Sequence, residues 1–317
     1  MTSRLRQRGV TLIEVMVAMA LSLVVVVAAS IALVAGKKLF DTDSDAQSVQ
    51  DSQRFARHVV QGLIRQAGYA DYAPDELNDG VGVVASNATL LAGSTDPLDL
   101  NIAGASNTMV SGTSNDFGQN NTDTKSGNDS LMVRFFGRSQ VGASDPDGTM
   151  VDCLGNAQAG PAGVPSASDR AWSFFYVALA TDGEPELYCK YRTKNGTFRA
   201  AQLVRGVEKF KVVYGYDGNG DGVPEAWLDA IDIAAKAASF GGAPNDEWRK
   251  VVAVRVGIVV RSPRPNGDLK RVPGEKSDLF PLGREFEHIS YEPPDDGRFR
   301  SVATLTVMLR NVVKDPV

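Results

Sequence analysis

Residues 10–35, VTLIEVMVAMALSLVVVVAASIALVA, contain one charged side chain, Glu14, and only Thr11, Ser22 and Ser30 are otherwise polar. A bilayer core is crossed by about 20 apolar residues in a helix, so the run predicts a membrane-spanning helix over 10–36. Past Lys37 and Lys38 the pattern changes. Val49, Phe55, Val59, Leu63 and Ile64 recur near i, i+3, i+4 spacing, while Asp45, Asp51, Arg54, Arg57 and Arg65 fill other faces, which predicts an amphipathic half over 37–68. Gly68 stands where a C-terminal cap is expected. A single helix from about 11 to 67 would be roughly 85 Å long.

Periodicity then fades. From Tyr69 to about Gly127 the chain is rich in Gly, Ser, Asn, Asp and Thr, which predicts loops and short strands, with a flexible surface insertion at about 104–130. Strand-like runs follow at 130–136, 172–180, 186–192, 209–216, 251–261 and 301–310, separated by turns such as Asp182-Gly183 and Asn195-Gly196. A helical interlude is expected at 229–238. The fold class is therefore α+β: one long helix, then residues 69–317 as a mostly antiparallel β-sheet domain.

Charge adds an orientation. The flank before the apolar run is short and basic (SRLRQRG), which favours a cytoplasmic N-terminus. The whole chain carries a formal charge of −5, and without Arg4, Arg6 and Arg8 it is more acidic by three charges, so direct nucleic-acid binding is not expected. An ordinary secretory signal has a shorter apolar region, of roughly 7–15 residues, and a cleavage site after it. Here the conspicuous glycine, Gly9, precedes the run. A plain anchor gives Glu14 no purpose, and an ionised carboxylate at the middle of a spanning helix costs about 2.5–3.5 kcal/mol.

Arg8-Gly9-Val10-Thr11-Leu12-Ile13-Glu14, followed by the apolar run, resembles the class III signal of type IV prepilins and pseudopilins. The resemblance implies that residues 1–9 are a leader removed by prepilin peptidase. Gly9 then precedes the cut, Val10 is the new and methylated first residue, and Glu14 is the fifth residue of the mature chain. The family usually has Phe where this chain has Val10. In a filament the Glu14 carboxylate would neutralise the amine of a neighbouring subunit and so set axial register. Further patches, Gly68-Tyr69, Asp152-Cys153-Leu154-Gly155, Leu187-Tyr188-Cys189, Gly206-Val207 with Tyr214-Gly215, and Leu309-Arg310-Asn311, resemble the PilW-type minor pilins. That resemblance implies a low-abundance subunit that primes pilus assembly and sits at or near the tip. It would contact other major and minor pilins through N-terminal helices, and an inner-membrane assembly platform. Such a protein starts as a single-pass inner-membrane protein with a periplasmic domain and ends in the fibre. A GspJ-type minor pseudopilin of type II secretion shares the leader and the helix and stays open as an alternative.

The remaining chemistry is sparse. Cys153 and Cys189 are the only cysteines. In an exported domain they would form one disulfide closing a loop of roughly 37 residues, the alternative being two buried thiols. The segment DGNGDGVPEAWLD, 217–229, matches the opening of a calcium loop. Asp217, Asn219 and Asp221 would offer side-chain oxygens, Val223 its carbonyl and Glu225 a ninth-position carboxylate. Leu228 occupies the twelfth position, where a bidentate Glu is expected, and Asp229 comes one place late. A tight Asp/Asn/Gly turn without metal is the other reading. With two histidines and no nucleophile, phosphate or zinc motif, an enzyme is not expected; a membrane-anchored periplasmic enzyme is the more distant alternative.

Overall fold

The computed structural model describes residues 9–70, 96–122, 127–162, 166–193, 195–240, 244–266 and 277–311. Residues 1–8 of the expected leader lie outside them. The chain divides into two compact units, Met1–Gln47 and Ser48–Val317.

Helix α1 runs without interruption over Leu12–Gln66. Its start is a capping box. The Thr11 N–H and hydroxyl both donate to Glu14 Oε2 at 2.9 Å, and the Glu14 N–H donates to the Thr11 hydroxyl at 3.4 Å. An 18-residue window of this helix has mean hydropathy 2.8 and none of it is buried. It is long and apolar enough to cross a bilayer.

Within the second unit, α1 contributes Val49, Ala56, Val60, Leu63 and Ile64 to the core. Phe55, expected on the apolar face, points outward and is 49% exposed. The small Ala56 beside it takes the inward position, because the buried stripe passes through 49, 56, 60 and 63–64. The helix ends at Gly68, with φ +71°. A Cβ there would come within 2.8 Å of the Asn311 carbonyl and the Asn101 amide, while the Asn311 side chain donates to the Ala67 carbonyl at 3.0 Å.

The β region forms two antiparallel sheets, where a single sheet was expected. The first has the order β1 (Ile102–Ala105), β2 (Ser130–Phe135), β3 (Ala171–Leu179), β4 (Pro185–Arg192), β5 (Phe198–Arg205). The second has the order β7 (Ala226–Leu228), β6 (Val207–Tyr216), β8 (Val251–Arg261), β9 (Arg300–Met308). The chain passes between sheets at Gly206, φ +81°, whose N–H donates to the Pro185 carbonyl and whose own carbonyl accepts from Arg261. Around this junction Glu184, Glu208 and Asp296 interleave with Arg261, Arg298 and Arg300 at 2.6–3.2 Å. Helices α2 (Ala230–Phe240) and α3 (Pro244–Trp248) follow β7.

The insertion expected at 104–130 is narrower, because Gly104 and Ala105 belong to β1 and Ser130 opens β2. Residues 123–126 lie outside the described residues. The rest is bonded to the body of the domain. Asn120 accepts from the Ser106 N–H at 2.8 Å and donates to the Ala230 carbonyl at 3.2 Å. Lys190, fully buried on β4, donates to the carbonyls of Ser111 and Ser114 at 3.1 Å and to that of Asp116. Burial pushes its ammonium pKa down to about 8.

Candidate functional site: helix start, disulfide turn and acidic loop

The residues singled out by sequence fall in three places. Gly9 and Val10 are exposed ahead of α1. Among the described residues, a side chain added at Gly9 would meet nothing within 4 Å, so their packing places no demand for glycine there. Glu14, four residues past Val10, is exposed, and its carboxylate is satisfied locally by Thr11.

Cys153 and Cys189 form a disulfide with a Cα–Cα distance of 5.8 Å across a separation of 36 residues. Both are buried. Cys189 is in the middle of β4. Cys153 sits in a turn organised by Asp152, whose carboxylate accepts from the N–H groups of Leu154 and Asn156 and from the Asn156 side chain, each at 2.9 Å. The turn is bonded to β3 through the Cys153 N–H and the Ser173 hydroxyl at 3.1 Å. It reaches α1 through the Val151 N–H and Gln66 at 3.0 Å. One crosslink therefore gathers the helix end and two central strands.

The acidic loop connects β6 to β7, whose last and first residues, Tyr216 and Ala226, pair across it. Gly220 and Gly222 take φ values of +80° and +89°, which glycine adopts at little cost. Asp217 accepts from the N–H groups of Gly220 at 2.6 Å and Gly222 at 2.7 Å. Asn219 accepts from the Asp221 N–H, Asp221 from the Val223 N–H, and Glu225 from the Gly218 N–H. The loop thus closes on its own amides. Asp217, Asp221 and Glu225 nevertheless place carboxylate oxygens within 4.8 Å of one another. Leu228 lies in β7 opposite Tyr214. Asp229 caps α2, accepting from the Asp232 N–H at 2.8 Å. The donor set for a divalent cation is thus three carboxylates with no twelfth-position acid, which fits a weak site at most.

The buried polar centres were not anticipated from sequence. Arg134 and Arg170, each 1% exposed, bind the carbonyls of Ala167, Asp99 and Leu100, and Arg134 stacks 3.5 Å from the Trp172 ring centroid. Lys211 and Asp129 form a buried pair at 3.0 Å. Single charged residues amid apolar strand neighbours, as in LYCKYR, were the signal available.

Among known families, residues 4–30 match the prokaryotic N-terminal methylation motif, and residues 174–311 match type IV pilus-assembly protein W. A solved type IV-like pilin from Thermus thermophilus is similar at 15% identity and a TM-score of 0.32, over 59% of this chain and 79% of that one. At that distance the likeness carries no argument. No curated protein matches the chain.

Proposed function

We propose that this chain, a type IV pilin-like protein of the PilW type, is cleaved after Gly9, methylated at Val10 and assembled as a minor subunit that primes the pilus and sits at or near its tip. The observation that carries this reading is the exposed helix start: a glycine that packing does not require, followed by a carboxylate at the edge of an otherwise apolar helix. Glycine there answers to the peptidase rather than to the fold. Until assembly, the capping box satisfies Glu14 within its own subunit. Assembly exchanges those Thr11 donors for the amine of a neighbour, so that two groups costly in lipid become one pair. The partners are accordingly other major and minor pilins, prepilin peptidase and the inner-membrane assembly platform. The N-terminus is cytoplasmic and the β-rich unit periplasmic before incorporation into the fibre.

The test is the intact mass and N-terminal sequence of the protein from its native membrane fraction. A chain starting at Val10, with or without an added methyl group, supports the reading. One still starting at Met1, or cut beyond residue 30, overturns it. Weak calcium binding by Asp217, Asp221 and Glu225, with Asn219 and the Val223 carbonyl, is a subsidiary part of the proposal. Calorimetry with millimolar calcium should give heat that is lost in Asp221→Asn; no heat in the parent protein removes calcium from the account.

A further inference from the structure

One set of side chains, apart from the disulfide and the acidic loop, has the geometry of a reaction. Lys211 lies in β6 and Asp129 immediately before β2, and they are 6% and 5% exposed. The Lys211 Nζ donates to Asn107 Oδ1 at 2.7 Å and to Asp129 Oδ1 at 3.0 Å. The same Asp129 oxygen accepts from the Asn107 backbone N–H at 2.9 Å, and its other oxygen accepts from the Val212 N–H at 2.9 Å. The Asn107 amide nitrogen donates to the Asn121 carbonyl at 3.3 Å. A buried amine and a buried carboxyl group therefore meet a half-buried primary carboxamide.

The backbone holds them there. Asn107 has φ +53° and is the one non-glycine residue of positive φ among the described residues. Gly127 presses against it so closely that a Cβ would come 2.8 Å from the Asn107 Cα. Burial raises the Asp129 pKa, and the Lys211 charge opposes that rise. A single proton passed along the 3.0 Å hydrogen bond to the Asp129 carboxylate, whose protonation burial favours, leaves a neutral amine beside a neutral acid. A neutral lysine amine in a desolvated pocket is a nucleophile, and a carboxamide held in hydrogen-bond contact is close to attack distance.

We infer that Lys211 and Asn107 become joined by an isopeptide bond within the folded chain, with Asp129 as the proton carrier. Asp129 takes a proton from the ammonium, and the freed Nζ attacks the Asn107 Cγ. The new C–N bond forms as the bond from Cγ to Nδ2 breaks. The departing nitrogen leaves as ammonium, with one proton from the attacking amine and one returned by Asp129, whose carboxylate is restored. No oxidant or cofactor is needed. The bond would tie β6 to the excursion between β1 and β2 across 104 positions of sequence. The inference does not depend on a role in the pilus.

The experiment is the intact mass of the full chain in detergent, referred to the disulfide-bonded chain with the same N-terminus. Crosslinking lowers that mass by about 17 Da, one ammonia, and proteolysis then yields a branched peptide joining the segments around Asn107 and Lys211. Lys211→Arg, which keeps the charge and its hydrogen bonds, and Asp129→Ala should both return the full mass. A parent protein of full mass overturns the inference and leaves only an ion pair. A deficit that persists in Lys211→Arg also overturns it, since the loss then comes from a cyclic imide at Asn107.

Discussion

The two halves of α1 are built from similar apolar residues and use them in opposite ways. Residues 12–36 are apolar on every side and exposed: Leu12, Met19, Leu23 and Ile31 are each more than 60% exposed. Residues 48–66 carry fewer apolar side chains, yet Ala56, Val60 and Ile64 are completely buried. Hydrophobicity around the whole circumference calls for an external apolar medium, whereas hydrophobicity in a stripe calls for a folded core. In the first half a substitution should therefore be felt by membrane and filament, and in the second by the stability of the domain.

Substituting Glu14 should separate the halves most sharply. Glu14→Lys places an uncompensated charge, worth about 2.5–3.5 kcal/mol, in an apolar setting. Incorporation into sheared pili should fall by about two orders of magnitude, while the thermal midpoint of the β-rich unit stays unchanged. A shifted midpoint would mean that the two halves are not independent. Ile64→Ala should do the reverse, destabilising the domain by about 2–5 kcal/mol in denaturant titration of the full chain while leaving membrane fractionation intact. The smallest effect belongs to Phe55→Ala. Exposed on the helix, it should change domain stability by no more than about 0.5 kcal/mol, despite being the largest apolar side chain of that half. A loss comparable with that of Ile64→Ala would place Phe55 back in the core.

Phe55 also shows where sequence reading stopped. Apolar spacing located the helix to within a residue at each end and found Val49, Leu63 and Ile64, but a large side chain outweighed the small Ala56 that is actually inside. The strands at 130–135, 171–179, 207–216 and 251–261 were legible because β-branched and aromatic residues crowd them. Three were not. β1 is four residues including a glycine, β7 is three residues, and β5, FRAAQLVR, is an edge strand with two alanines and two exposed arginines. Similarly, the helix start and the acidic loop are local patterns, and both could be read in order along the chain. The contacts of Lys190, Arg170 and Lys211 bring together positions roughly 70 to 104 residues apart. No local window contains both partners, so these pairings cannot be read along the chain.

The way Lys190 holds its loop has a consequence for how this surface can diverge among related proteins. Its three acceptors are the carbonyls of Ser111, Ser114 and Asp116, groups that every amino acid supplies. The anchorage to Lys190 therefore makes no demand on the side chains at those positions, which act only within the loop: Ser114 donates to the Ser111 carbonyl at 3.4 Å and Asp116 accepts from the Gly118 N–H at 3.0 Å. Met109, 93% exposed, is the position of this loop where a substitution meets least. A lysine at the centre of a strand thus anchors an outer loop through groups that no substitution within that loop removes.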